Sequence, residues 1–120
     1  MSKIYSQVMC ADKMAFTSGQ ISLDSNGNLF GKNDIKAQTS KTLENVINVL
    51  NEKGFSKKNI TSLTIYLQDI EKDFNAFNEA YVEFFNGHVP SRATVGATLF
   101  KPEFLIEIKA IAHLDTDNTI

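Results

Sequence analysis

Cysteine is almost missing from this chain: Cys10 is the only one. A single thiol cannot close an internal disulfide, which points to an intracellular protein. Cys10 itself reads more readily as a small hydrophobe near a strand end than as a nucleophile. Histidine is nearly as scarce. His88 and His113 lie in different segments, neither with a second histidine or cysteine at metal-ligand spacing, so no zinc site is expected. There is no run of about 18 apolar residues and no signal-peptide apolar core, so the expectation is a soluble, cytoplasmic protein with no membrane partner. Neither sign of charge is in excess. Twelve Lys and Arg against 14 Asp and Glu leave a formal charge of −2, without the basic footprint of a nucleic-acid binder, although a local patch can hide in such a total. No repeat, linker or low-complexity tract breaks the 120 residues. That is the length of one domain, able to bury roughly two thirds of its extended surface. We assign residues 1–114 to the domain and 115–120 to a polar tail.

What is present is a clear succession of periodic segments. Residues 3–10 form a short extended lead-in. Lys13-Met14-Ala15-Phe16-Thr17 reads as a strand, Gly19 hints at a bulge or a close backbone approach, and Ile21 and Leu23 continue briefly. Asp24-Ser25-Asn26-Gly27-Asn28 is a turn. Asn33 or Asp34 can cap a helix whose Leu43, Val46, Ile47 and Leu50 make one apolar stripe, ended by Lys53-Gly54. Leu63, Ile65 and Leu67 alternate with polar neighbours as a strand. Asp69 precedes a second helix with Phe74, Phe77, Tyr81 and Phe84 at helical spacing and Asn78 at the stripe's margin. Pro90 blocks its continuation, and two alternating strands follow over residues 92–99 and 105–112. This order predicts an α+β sheet with both helices on one face. Its other face would carry Tyr66, Leu105 and Ile111 among Thr64, Gln68, Thr94, Glu107 and Lys109. Such a mixture suits a subunit interface with pockets, or else a solvated face with scattered apolar groups.

Chemistry concentrates in the last two strands. Arg92 and Glu107, fifteen residues apart, both stand on the less apolar faces of their strands. An arginine fork matches a carboxylate two hydrogen bonds at a time, and a carboxylate can position water or take a proton. An ion pair on a wet sheet face is the alternative.

Four pieces in order resemble the reactive intermediate deaminase family, also called RidA or YjgF: Thr17-Ser18-Gly19-Gln20-Ile21, Gln38-Thr39, Phe77-Asn78-Glu79-Ala80-Tyr81, and Pro90-Ser91-Arg92-Ala93-Thr94-Val95-Gly96 followed by Ile106-Glu107-Ile108. The resemblance spans residues 5–112. It implies a chorismate-mutase-like fold, β-β-β-α-β-α-β-β, assembled as a homotrimer with pockets between subunits. It implies hydrolysis of enamines and imines such as 2-aminoacrylate, 2-iminopropanoate and 2-iminobutanoate to 2-oxo acid and ammonia, with no cofactor or metal. By position, Arg92 matches the residue that holds the substrate carboxylate and Glu107 the one associated with the hydrolytic water. Tyr5 matches the N-terminal tyrosine, Ser18 and Gly19 the backbone bordering the pocket, and Asn78 the helix asparagine. Thr94 stands where close relatives often have cysteine, and Lys3-Ile4 replaces the usual Gly-Pro before the tyrosine.

The physical logic agrees with these implied roles. Arg92 would fix the plane of a 2-imino acid by its carboxylate, and Glu107 would direct water at the imine carbon. Two other functions compete: binding of a 2-oxo acid without turnover, and an RNA-directed activity, which the acidic balance disfavours. The strand pattern adds a geometric expectation. If residues 92–99 and 105–112 pair as an antiparallel hairpin with Leu99 opposite Ile106, Arg92 lies roughly 20 Å along the strand from the partner of Glu107. Either the strands pair otherwise, or each site takes Arg92 from one subunit and Glu107 from its neighbour.

Overall fold

A computed structural model describes residues 3–114; the polar tail assigned to residues 115–120 lies outside them. Five strands form one mixed sheet: β1 (Val8–Ala11), β2 (Met14–Thr17), β3 (Ile60–Leu67), β4 (Ser91–Gly96) and β5 (Ile106–His113), in the spatial order β1-β2-β5-β3-β4. Helix α1 (Ile35–Asn51) separates β2 from β3, and α2 (Ile70–Phe85) separates β3 from β4. The architecture is therefore α+β with two helices on a sheet, as the periodicity predicts. The lead-in turns out to hold a true edge strand, β1. The brief third strand at Ile21 and Leu23 is reduced to isolated bridges, Gln20 with Ile108 and Leu23 with Leu29.

Both helices begin at a capping aspartate. Asp34 accepts from the Ala37 amide at 3.0 Å and Asp69 from the Lys72 amide at 3.2 Å, each meeting one of the orphan donors of a first turn. Helix α2 ends on Asn86 in the left-handed conformation at φ 47°, followed by Gly87 at φ 105°. The core lies between the helices and one sheet face. Leu43, Val46 and Leu50 of α1 and Phe77, Tyr81 and Phe85 of α2 cover Leu63, Ile65 and Leu67 of β3 and Ile106, Ile108 and Ala110 of β5. Phe74, expected in the aromatic stripe, is instead 38% exposed, because the buried line runs through 77, 81 and 85 at i, i+4 and i+8.

The hairpin expected between the last two strands does not form. β4 pairs with β3 in parallel, Leu63 beside Arg92 and Ile65 beside Thr94. β5 pairs with the other edge of β3 in the antiparallel sense, Ile65 beside Ile108 and Tyr66 beside Glu107. A parallel pair needs a long crossover, and α2 supplies it. The chain then passes over the end of β3, with Ala97 N donating to Leu67 O at 3.0 Å and Gln68 N to Leu105 O at 3.0 Å.

Register partners share a face, so Arg92 and Thr94 point to the helix side with Leu63 and Ile65, whereas Glu107 points to the open side with Tyr66. This corrects the placing of Thr94 on the open face: its Oγ1 is buried and has no hydrogen-bond partner among the described residues. The open face carries Met9, Phe16 and Val95, which are 62%, 39% and 42% exposed, beside Thr64 and Lys109.

One buried polar side chain braces this framework. Gln38 is fully buried; its Nε2 donates to Gly31 O and Glu103 O, both at 3.0 Å, and its Oε1 accepts from Leu105 N at 2.9 Å. Gln38→Ala strands three backbone groups and opens a void. It is expected to lower stability by about 3 kcal/mol, read as a fall in urea midpoint at unchanged m-value.

Candidate functional site

The site residues expected from the sequence fall into two groups, one on each face of the sheet. On the open side, Glu107 stands beside the segment that follows β2. Gln20 and Ile108 exchange backbone hydrogen bonds at 2.8 and 3.0 Å, which draws Gly19 against the Glu107 side chain. The contact is close enough that a Cβ on Gly19 would come within 2.8 Å of Glu107 Cδ. Glycine is needed here for the approach itself, whatever its φ. Ser18 N donates to Gln7 O at 2.8 Å and Ser18 Oγ to Ser6 O at 2.5 Å, while Gln20 Nε2 reaches Gln7 Oε1 at 2.7 Å. These bonds lash the N-terminal segment across residues 18–20 and bring Tyr5 to the same place. Tyr5, Ser18, Gly19 and Glu107 thus line one cleft of about 840 Å³. The Glu107 carboxylate is half-buried and makes no hydrogen bond or ion pair within the described residues.

On the helix side, Arg92 lies under α2. Its Nη2 donates to Asn78 Oδ1 at 2.5 Å, and its guanidinium carbon sits 4.6 Å from the Tyr81 ring centroid and 5.1 Å from that of Phe77. Two aromatic faces and one amide therefore fix the fork. It has no carboxylate partner among the described residues. Asn78, the helix asparagine of the resemblance, holds the arginine in this structure. Burial pushes the Tyr81 phenol above its usual pKa, while the Arg92 charge pulls it down. Among the described residues the Tyr81 hydroxyl forms no hydrogen bond of good geometry, and neither does the buried Thr94 Oγ1 on the same side of β4. The aromatic clamp was missed from the sequence because Phe77 and Tyr81 have the spacing of an ordinary core stripe. The signal was Asn78 beside Phe77 within the same motif.

The two groups do not meet within one chain. Arg92 is level with Leu63 and Glu107 with Tyr66, on opposite sides of β3 and opposite faces. Three residues along the sheet and two strands across put their Cα atoms roughly 14 Å apart before the side chains diverge.

Residues 1–114 match the family model described as endoribonuclease L-PSP. The chain belongs to this family, the YjgF/RidA family of the resemblance. A RutC family protein of Pyrococcus horikoshii is 38% identical over 109 residues, 91% of this chain and 86% of that protein. The YjgF gene product of E. coli is 30% identical, covers 92% of this chain and 88% of its own, and superposes with a TM-score of 0.84. E. coli TdcF, solved with bound serine, is 31% identical over 96% of this chain and 91% of its own, with a TM-score of 0.85. YjgF/RidA relatives thus share both the fold and nearly the full length of the domain. No helix among the described residues is long and apolar enough to cross a membrane.

Proposed function

We propose that this chain is a hydrolytic deaminase of reactive 2-imino acids and their enamine tautomers, acting as a homotrimer whose sites join the two half-sites from neighbouring subunits. The observation that carries the proposal is the pairing of deficits. Among the described residues, one face holds a braced guanidinium without an anion, and the other a carboxylate without a partner, facing a cleft. A small imino acid needs both, and a single chain keeps them on opposite faces. The serine bound to TdcF supports the reading, since it shows a family member holding a small amino acid.

In the joined site Arg92 takes the substrate carboxylate through two charge-assisted hydrogen bonds, and the clamp of Asn78, Phe77 and Tyr81 keeps the fork from turning. Glu107 orients a water on the imine carbon and accepts its proton as the carbon–oxygen bond forms. Passed on to the imine nitrogen, that proton gives the neutral carbinolamine, which then collapses: Glu107 takes the hydroxyl proton as the carbonyl forms and hands it to the nitrogen as the carbon–nitrogen bond breaks, and 2-oxo acid and ammonia depart. Tyr5 and the backbone at Ser18 and Gly19 border the water. An imine already hydrolyses in water unaided, so positioning and one general base suffice.

The family description offers a second reading, cleavage of RNA. The cleft argues against it: none of its lining residues is Lys or Arg, and Asp24 and Glu107 would repel a phosphate backbone.

The deciding test is 2-oxo acid release from an imine generated in situ by an amino-acid oxidase, compared with the uncatalysed rate. Alongside it, Arg92→Ala and Glu107→Ala chains are unfolded together and refolded as mixed trimers. Random assortment around a ring should restore about a quarter of the sites. Confirmed mixed trimers that stay at single-mutant activity would sink the shared site. An unchanged imine half-life with tight 2-oxo acid binding would leave a non-catalytic binder. Salt-sensitive RNA binding would favour the RNA activity.

A further inference from the structure

The single-chain cleft beside Glu107, about 840 Å³ before a neighbouring subunit adds its wall, is larger than a three- or four-carbon imino acid requires. Tyr5, Ser18, Gly19 and Glu107 are its reacting part; Ile21, Leu23, Val49 and Phe100 give the wall an apolar part. This apolar part is built rather than incidental. Asn45 Nδ2 donates to Ile21 O and to Leu23 O, both at 2.9 Å, so its amide protons fasten the apolar loop to α1 instead of facing a ligand.

Phe100 is the unusual member. Its side chain belongs to a residue 79% exposed, yet its loop is held on both sides. Gln68 Oε1 accepts from Leu99 N at 3.2 Å, and Gln68 Nε2 donates to Lys101 O and Phe104 O, both at 3.1 Å. Gln38 fastens Glu103 and Leu105, and Phe104 is buried. The braced backbone presents the ring, with Lys101 Nζ 5.5 Å from its centroid, so the loop itself needs little ordering when a ligand arrives.

We infer that the apolar part of the cleft is a side-chain subsite and Phe100 its specificity-determining residue, selecting 2-imino acids with larger apolar side chains over the alanine-derived imine. This rests on the deaminase reading for its chemistry but not for its binding preference.

The experiment measures kcat/KM on imines formed by oxidase from alanine, leucine and phenylalanine, and Kd for the matching 2-oxo acids by calorimetry, with wild type and Phe100→Ala. Wild type should prefer the two larger imines. The substitution should weaken their turnover and 2-oxo acid binding about tenfold and change the alanine-derived pair less than about twofold. Because the ring is exposed, the fold and assembly should survive, and a sizing column checks this. Equal loss on all three substrates, or a wild type with no preference for the larger ones, overturns the subsite while leaving the deaminase reading intact. Phe100-dependent ranking of the 2-oxo acids without imine turnover supports the subsite and removes the deaminase reading.

Discussion

Glu107→Gln is expected to slow imine hydrolysis about a hundredfold while leaving affinity for a stable 2-oxo acid within about threefold. Glutamine keeps the shape that Gly19 makes room for, and the site needs that fit, because the glycine has no Cβ to spare. What the amide lacks is proton affinity. A general base is worth roughly 10²–10⁴ in rate, and an imine that already hydrolyses freely belongs at the low end of that range. Single-turnover oxo-acid release, paired with calorimetric binding, separates the two effects. If binding collapses while the fold holds, Glu107 shapes the pocket and does not serve as the base.

Arg92→Lys should have a comparable effect by another route. An ammonium keeps the charge but has no planar fork to lie against the Phe77 and Tyr81 rings, and one point charge cannot fix the plane of a carboxylate. The loss combines weaker anion binding with a misplaced electrophile, about a hundredfold in kcat/KM, with KM rising as well as kcat falling. Removal of the clamp should mimic part of this loss, since Asn78 holds Nη2 directly. Near-normal turnover by the lysine variant would take Arg92 out of the substrate's reach.

Much of this was legible from residue order alone. Both helices, β3 and β5 carry strong periodicity because each buries one face against the core, and their aspartate caps announce themselves. β1 was not legible: Val8, Met9, Cys10 and Ala11 are apolar on both faces, so no alternation marks it. The partner of β4 was not legible either. Alternation reports which residues share a face, whereas α2 decides which strand lies alongside. The face of Arg92 was misleading for a related reason. In a central strand Ala93 and Val95 would mark the buried side, but β4 is an edge strand where the aromatic rings of α2 accept a guanidinium. Arg92 and Glu107 lie too far apart to meet within one chain, as expected, although the hairpin behind that expectation does not form.

The strand order has a consequence for how the chain reaches this state. β5 comes last in sequence yet lies in the middle of the sheet, hydrogen-bonded to β2 on one side and β3 on the other. Until it is in place, the β1–β2 ribbon and the β3–β4 pair have no strand contact with each other. A chain growing from its N-terminus therefore emerges as two unjoined sheet fragments, each exposing an open edge where β5 belongs. Closure must wait for contacts far apart in sequence, the slow kind. The strand that brings Glu107 is also the one that completes the sheet, so a half-made molecule carries the Arg92 guanidinium without the Glu107 carboxylate.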